Sequence, residues 1–493
     1  MGLFSKKKGD GQTTTAPVDP PSQGARPVNG RSTGAQSNLQ NGSKSAIPEL
    51  PAPRPIDPNV DPVAYLKSLH SIRERSQKVY AQRHRLQHFD FHEGNIQNVV
   101  KFVLSIIKRD YGSDYGSIPP HGRWQHFEVG GRKRVDELLA TFSAIDATER
   151  TRRIIDLFLV SVLLDAGAGN KWTYKANNGK VYRRSEGLAV ASLEMFQTGM
   201  FSSDPRVKTQ VDAQGLRTLT PQTLGAALQV SPSNPMSGLE GRTQLLMRLS
   251  EALSSSAEIF GATGRPGHLV DYLLSHPATV AFPGGHVVSA TLLWSVLLDG
   301  LSSIWPAGRT HVEGRSLGDA WPYSGLPREP AHAGIAPFHK LSQWLAYSLM
   351  APMTKLLNIH FAHSDLLTGL PEYRNGGLFV DLGVLTLKMS DTSRGTKAFT
   401  ENGKIAGQQS VEVVPLFDPG DDVIVEWRAM TVCLLDQVHL EINRSLGLSG
   451  ARALSLPQIL EAGTWKAGRE IAEVQRPNTR GSPIALQSDG TVF

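Results

Sequence analysis

Glu426-Trp-Arg-Ala-Met-Thr-Val-Cys-Leu-Leu-Asp-Gln-Val438 is the stretch whose spacing decides the fold. Trp427, Met430, Leu434 and Val438 recur three and four residues apart, the interval at which an α-helix returns to one face. Val135, Leu138, Leu139 and Phe142 repeat the pattern, as do Leu188, Ala191, Ser192 and Met195. Further helices are expected over 63–108, 154–165, 239–259, 267–276, 341–357 and 456–473. Alternation of period two is scarce, and 411–416 is the best short strand. The expected fold class is mainly α, a single large helical domain, undivided or two-lobed, with few short strands.

The 493 residues are 40% hydrophobic and 19% charged, enough to bury a large core. Residues 1–57 differ in kind, with Phe4 their one aromatic residue and Gly, Pro, Ser, Thr, Asn and Gln dominant. Such a composition does not repay the entropy of ordering, so 1–57 is expected to be a disordered tail and 58–493 the helical domain. Seven Lys or Arg against four acids place +3 of the net +6 in that tail. The remainder is only mildly basic, which argues against a nucleic-acid partner; the short clusters at Arg83 and Arg85 and at Arg132 to Arg134 read as solvated helix faces.

Lys6 stands where an N-myristoylation motif requires Ser or Thr, so no stable membrane anchoring is expected. The longest apolar runs, 154–164 and 287–298, are too short for a bilayer and end in Asp165 and Asp299; they read as buried core helices. A single cysteine, Cys433, in an apolar run reads as a small core residue, and with no secretory signal the expected compartment is the cytosol. Phosphate-loop, dinucleotide-fingerprint, serine-elbow and zinc-protease motifs are missing.

Chemistry concentrates in Leu367 to Lys388, where Glu372, Arg374 and Asp381 sit among apolar residues. A charge in that setting is paired, hydrogen-bonded or used, because an isolated one is too costly to bury. His84, His88 and His92 would share a helix face, but flanking Arg83 and Arg85 disfavour a metal, and none is expected. Arg123 and Trp124 either stack on a planar ligand or pin their loop to the core. Glu186 opens a helix as a dipole-compatible anion. His339 and Lys340, in the first turn of a helix initiated by Pro337, oppose its dipole, a local inconsistency that hints at function. Glu426 opens the late helix, and Arg428 within it needs a buried partner, for which Glu372 and Asp381 are candidates.

Five blocks in order resemble the uracil catabolism protein 4 family: Ile118-Pro-Pro-His-Gly-Arg-Trp-Gln-His-Phe-Glu-Val-Gly-Gly131, 184–196, Pro337-Phe-His-Lys-Leu-Ser-Gln-Trp344, Leu370-Pro-Glu-Tyr-Arg-Asn-Gly-Gly-Leu-Phe-Val-Asp381 and Gly463-Thr-Trp-Lys-Ala-Gly-Arg-Glu470. The resemblance implies cleavage of ribosylurea, or its phosphate, to urea and the sugar, with no cofactor. A weaker resemblance of 367–374 and 382–385 to queuosine salvage nucleosidases implies a helical DNA-glycosylase-like fold, with Glu372 where those proteins carry Asp. Breaking a C1′–N bond requires a carboxylate near the sugar, a base for water and donors to the leaving group. Glu372 or Asp381 is therefore the expected catalytic group. Arg123, Trp124, Arg184, Glu186, Trp321, His339, Lys340, Tyr373, Arg374, Glu426 and Arg428 are the expected binding residues for a small ribosylated urea or nucleoside-like substrate. A non-catalytic scaffold of the same pathway is the alternative.

Overall fold

The computed structural model describes residues 47–487 except 166, 170 and 407–410, with the side chains of 403–406 also left aside. Most of the expected tail lies outside these residues; 47–57, at its end, hold neither helix nor strand. The described residues make one compact unit, mainly α, with short strands in small sheets.

The core is organised around helix Ala147–Leu163, whose residues Ile154 to Leu163 are all buried. Asp146 caps it, accepting from the Glu149 amide at 2.9 Å. Helices Lys340–Leu357 and Arg184–Thr198 pack against it. Helix Asp422–Leu446 buries Trp427, Met430, Leu434 and Val438, as the spacing predicts, and lies on helix Leu69–Tyr80. Burial pushes the Cys433 thiol up to about 12, in keeping with a core residue rather than a nucleophile. Helices Tyr373–Asp381 and Trp465–Gln475 touch so closely that a Cβ on Gly468 would lie 2.1 Å from the Arg374 carbonyl oxygen. Among the described residues no helix is long and apolar enough to cross a membrane.

Several local expectations are corrected. The span 63–108 is broken after Tyr80 by a turn and by strand Phe89–Phe91, paired antiparallel with Leu385–Leu387. His84 therefore sits in a 3-10 turn and His88 beside a strand, its Nδ1 3.0 Å from Asp391, so the three histidines share no helix face. Within 287–298 the first residues form strand Gly285–Ser289, and the helix starts at Ala290. Residues 411–415 are not a strand; only Leu416–Phe417 pairs, with Ala485–Leu486. Arg134 is buried, donating to the Phe127 and Val129 carbonyls at 2.8 and 2.9 Å, rather than lying on a solvated face. The late helix begins at Asp422, capped by Asp421, four residues before Glu426.

Arg428 pairs with neither Glu372 nor Asp381. Its guanidinium meets Asp319 through two 2.7 Å bonds, in a pair almost wholly buried. Asp319 is missing from the sequence expectations because it stands alone in a Gly-rich loop. It also accepts from the Trp321 indole at 2.7 Å and the Lys340 amide at 2.9 Å. A carboxylate thus sits at the start of helix Lys340–Leu357, which answers the apparent conflict between two cations and the helix dipole. The Arg428 guanidinium, foremost among its partners, overcomes burial and holds the Asp319 carboxyl far below the usual range.

Candidate active site

Glu372 is the N-cap of helix Tyr373–Asp381, and its two carboxylate oxygens accept from the Arg374 and Asn375 amides at 2.8 and 2.6 Å. The carboxyl is buried and lines a cavity of about 270 Å³, near the small end of the ligand-pocket range of ~300–1,000 Å³. Burial raises its pKa despite the opposing charge of Lys340 and the two amides. Lys340 lines the same cavity; burial lowers its pKa against the pull of Glu372 first and then Asp165. An acid raised and an amine lowered in one pocket are a matched acid–base set.

The second carboxylate is Asp165, just past the core helix. Its Oδ2 lies 2.9 Å from Arg123 Nη1, and its Oδ1 has no hydrogen-bond partner among the described residues. Arg123 is fully buried beneath the cavity. Its Nε donates to Ser161 Oγ at 2.7 Å, its amide donates to Ser348 Oγ at 3.0 Å, and Nη1 lies 3.2 Å from His126 Nδ1. The segment expected as a loop holds the short helix Arg123–Phe127, which is thus pinned to the core, and the guanidinium serves Asp165 rather than the cavity wall.

His121, His126, Trp344 and Trp465 form one wall, each histidine lying 4.7–5.5 Å, centroid to centroid, from both tryptophans. Burial, reinforced by Arg123, pushes His126 well below its ordinary value, so its imidazole is neutral. His121 Nδ1 is 2.6 Å from Glu461 Oε2. Glu461 belongs to a π-turn, Leu460–Thr464, directly before Trp465, and such turns are enriched at functional sites.

The remaining wall is a C-terminal strap contributing Thr479, Gly481, Ser482 and 484–486. Arg184 donates to the Thr479 carbonyl and, at 2.9 Å, to the Arg480 carbonyl, which also accepts from Arg374 at 3.0 Å. Glu412 accepts from the Thr479 amide at 2.9 Å. Arg184 on the cavity wall, Arg480 in the strap and His339 directly before Lys340 have φ of 53°, 49° and 46°, a conformation costly for residues with a Cβ.

Of the expected site residues, the fold brings Glu372, Lys340, Tyr373, Arg374 and Arg184 together, with Glu186 just outside, paired to Arg469 at 2.7 Å. The others lie elsewhere. Asp381 is engaged through both oxygens by Arg476, at 2.8 Å for the longer bond. Trp124 lines a separate cavity of about 580 Å³ under Lys355, 4.0 Å above its ring. Trp321 lies under Arg309 at 4.6 Å, and His339 is buried with Nε2 2.9 Å from the Leu66 carbonyl. Glu426 accepts from the Gln87, His88 and Phe89 amides at 2.8–3.0 Å and from the Tyr323 hydroxyl, a structural role.

Sequence reasoning missed Asp165, the paired histidines and tryptophans, and the strap. Asp165 left a trace as the charge ending an apolar run, and the aromatic residues lie within the quoted blocks. The strap left none. Among the described residues, no three His, Cys, Asp or Glu side chains are grouped to hold a metal ion.

Residues 65–493 match the family described as "Protein of unknown function (DUF1688)". The chain is 46% identical to the protein named uracil catabolism protein 4 of Lachancea kluyveri over 88% of its own length and 99% of the relative's. It is 44% identical to Protein urg3 of Schizosaccharomyces pombe, over 88% of the chain and all of the relative.

Proposed function

The chain belongs to the uracil catabolism protein 4 family, and on that premise we propose that it acts in uracil breakdown, hydrolysing the N-glycosidic bond of ribosylurea or its 5′-phosphate to urea and the sugar. The observation carrying this reading is the meeting of Glu372, Lys340 and Asp165 in one aromatic-walled cavity.

Glu372, ionised, takes a proton from water as its oxygen attacks C1′. The C1′–N bond breaks, its electron pair goes to the urea nitrogen, and the Lys340 ammonium gives that nitrogen a proton. Glu372 then returns its proton to Lys340, so the pair ends as it began. The electrostatic coupling of the two groups supports this exchange. Asp165, paired with Arg123, offsets the positive charge that develops on the sugar. Trp344 and Trp465 provide flat apolar surfaces that exclude bulk water.

Reaction in ¹⁸O-water tests the bond cleaved. C1′–N hydrolysis puts the label on the sugar and none in urea. Formation of labelled carbon dioxide in place of urea would instead signal attack on the urea carbon and overturn the reading.

A further inference from the structure

Outside the Glu372 cavity lies a second space of about 390 Å³ that shares with it Arg184, Ser185, Tyr373, Arg374, Trp465 and Thr479. The two are therefore adjacent, with these side chains between them. The outer space is lined by five arginines, Arg183, Arg184, Arg374, Arg469 and Arg480, against two glutamates, Glu186 and Glu473. We propose that this outer space holds the phosphomonoester group of a phosphorylated substrate whose sugar reaches the inner cavity.

The proposal rests on the hydrolytic reading for the rest of the substrate, and on the arginines for its phosphate. Like charges crowd together here: after burial itself, Arg374 does most to disfavour the charge on Arg184, and Arg469 adds to it. A dianion between them would relieve that repulsion. Among the described residues Arg374 and Arg469 each commit one side-chain nitrogen to a protein acceptor, Arg480 O and Glu186 respectively. A guanidinium has five N–H donors in a fork that matches phosphate oxygens, so donors remain on both. Trp465, 5.0 Å beneath Arg469, and Tyr373, 5.0 Å beneath Arg374, hold the two guanidinium planes in place. Helix Arg184–Thr198 also begins here with no side-chain cap, its N-terminal dipole favouring the same charge.

The test is isothermal titration of the full chain with ribose, ribose 5-phosphate and inorganic phosphate, repeated on Arg469→Ala and on the exposed Arg183→Ala. Ribose 5-phosphate is expected to bind about tenfold or more tightly than ribose, and Arg469→Ala to remove about tenfold of that without changing ribose affinity. Arg183→Ala gives a smaller loss in the same direction and serves if Arg469→Ala does not fold. Equal affinity for ribose and its phosphate overturns the proposal, as does inorganic phosphate binding as tightly as ribose 5-phosphate. Tight ribose 5-phosphate binding without urea release would sink the hydrolytic reading alone; urea release with the same KM for both substrates would sink this one alone.

Discussion

Arg123 Nη1 lies 2.9 Å from Asp165 Oδ2, with the guanidinium wholly buried and the carboxylate at the edge of the Glu372 cavity. The pair joins the core helix to the site. Removing one partner leaves the other charge uncompensated, so Arg123→Ala should lower stability by about 3–5 kcal/mol. Guanidinium chloride unfolding checks this; a midpoint equal to that of the unaltered protein would show that the pair is not part of the core.

Asp165→Asn keeps the shape and removes the charge. Loss of a preorganised electrostatic group of this kind costs ~10²–10³ in kcat. Asp381→Asn, which breaks only the Arg476 pair, should leave kcat of the folded fraction within a few-fold. Single-turnover rates on both variants decide between the two carboxylates, and a larger loss at Asp381 would reverse their assignment.

Glu372 and Asp381 mark the limit of what the sequence makes legible. Helices follow from apolar spacing alone, because each must bury one face, and the stripe from Trp427 to Val438 is found as read. Glu372 was legible because a charge among apolar residues needs a use. Asp381 carries the same signal and resolves into an ion pair with Arg476, a partner 95 residues away that local pattern cannot supply. Arg428 found Asp319 across 109 residues for the same reason. The strap from Thr479 to Leu486 has neither period nor charge pattern; it reaches the cavity through carbonyl contacts to Arg184 and Arg374 and a two-residue parallel pairing, all set by tertiary structure.

The activity should be bell-shaped in pH. Glu372 must be ionised, and its raised pKa puts the ascending limb above the ordinary carboxylate value of ~4.3; Lys340 must be protonated, and its lowered pKa puts the descending limb below ~10.4. The stability effect of Glu372 runs the other way. A carboxyl raised by folding contributes most below its unfolded pKa, and the contribution is lost as pH rises through the folded value. The pH dependence of kcat/KM for Lys340→Met checks the assignment, since a descending limb that stays in place would exclude Lys340 as the acid.

Gly468→Ala tests how the Glu372 helix is positioned. Its Cβ would meet the Arg374 carbonyl oxygen at 2.1 Å, so helices Tyr373–Asp381 and Trp465–Gln475 must separate. Overpacking of this kind costs about 1–3 kcal/mol or more, and the shift carries Arg374 and Trp465 with it. Thermal unfolding should show a lower Tm together with weaker substrate binding; an unchanged Tm would mean the contact is soft.

The central claim is tested most directly by the rate of urea release from ribosylurea and from its 5′-phosphate, by the purified protein and by Glu372→Gln. The unaltered protein should release urea and the sugar, or the sugar 5′-phosphate, in equal amounts from at least one of the two, and Glu372→Gln should do so ~10²–10³ more slowly while remaining folded. No urea from either substrate, or an undiminished rate in Glu372→Gln, would contradict the account.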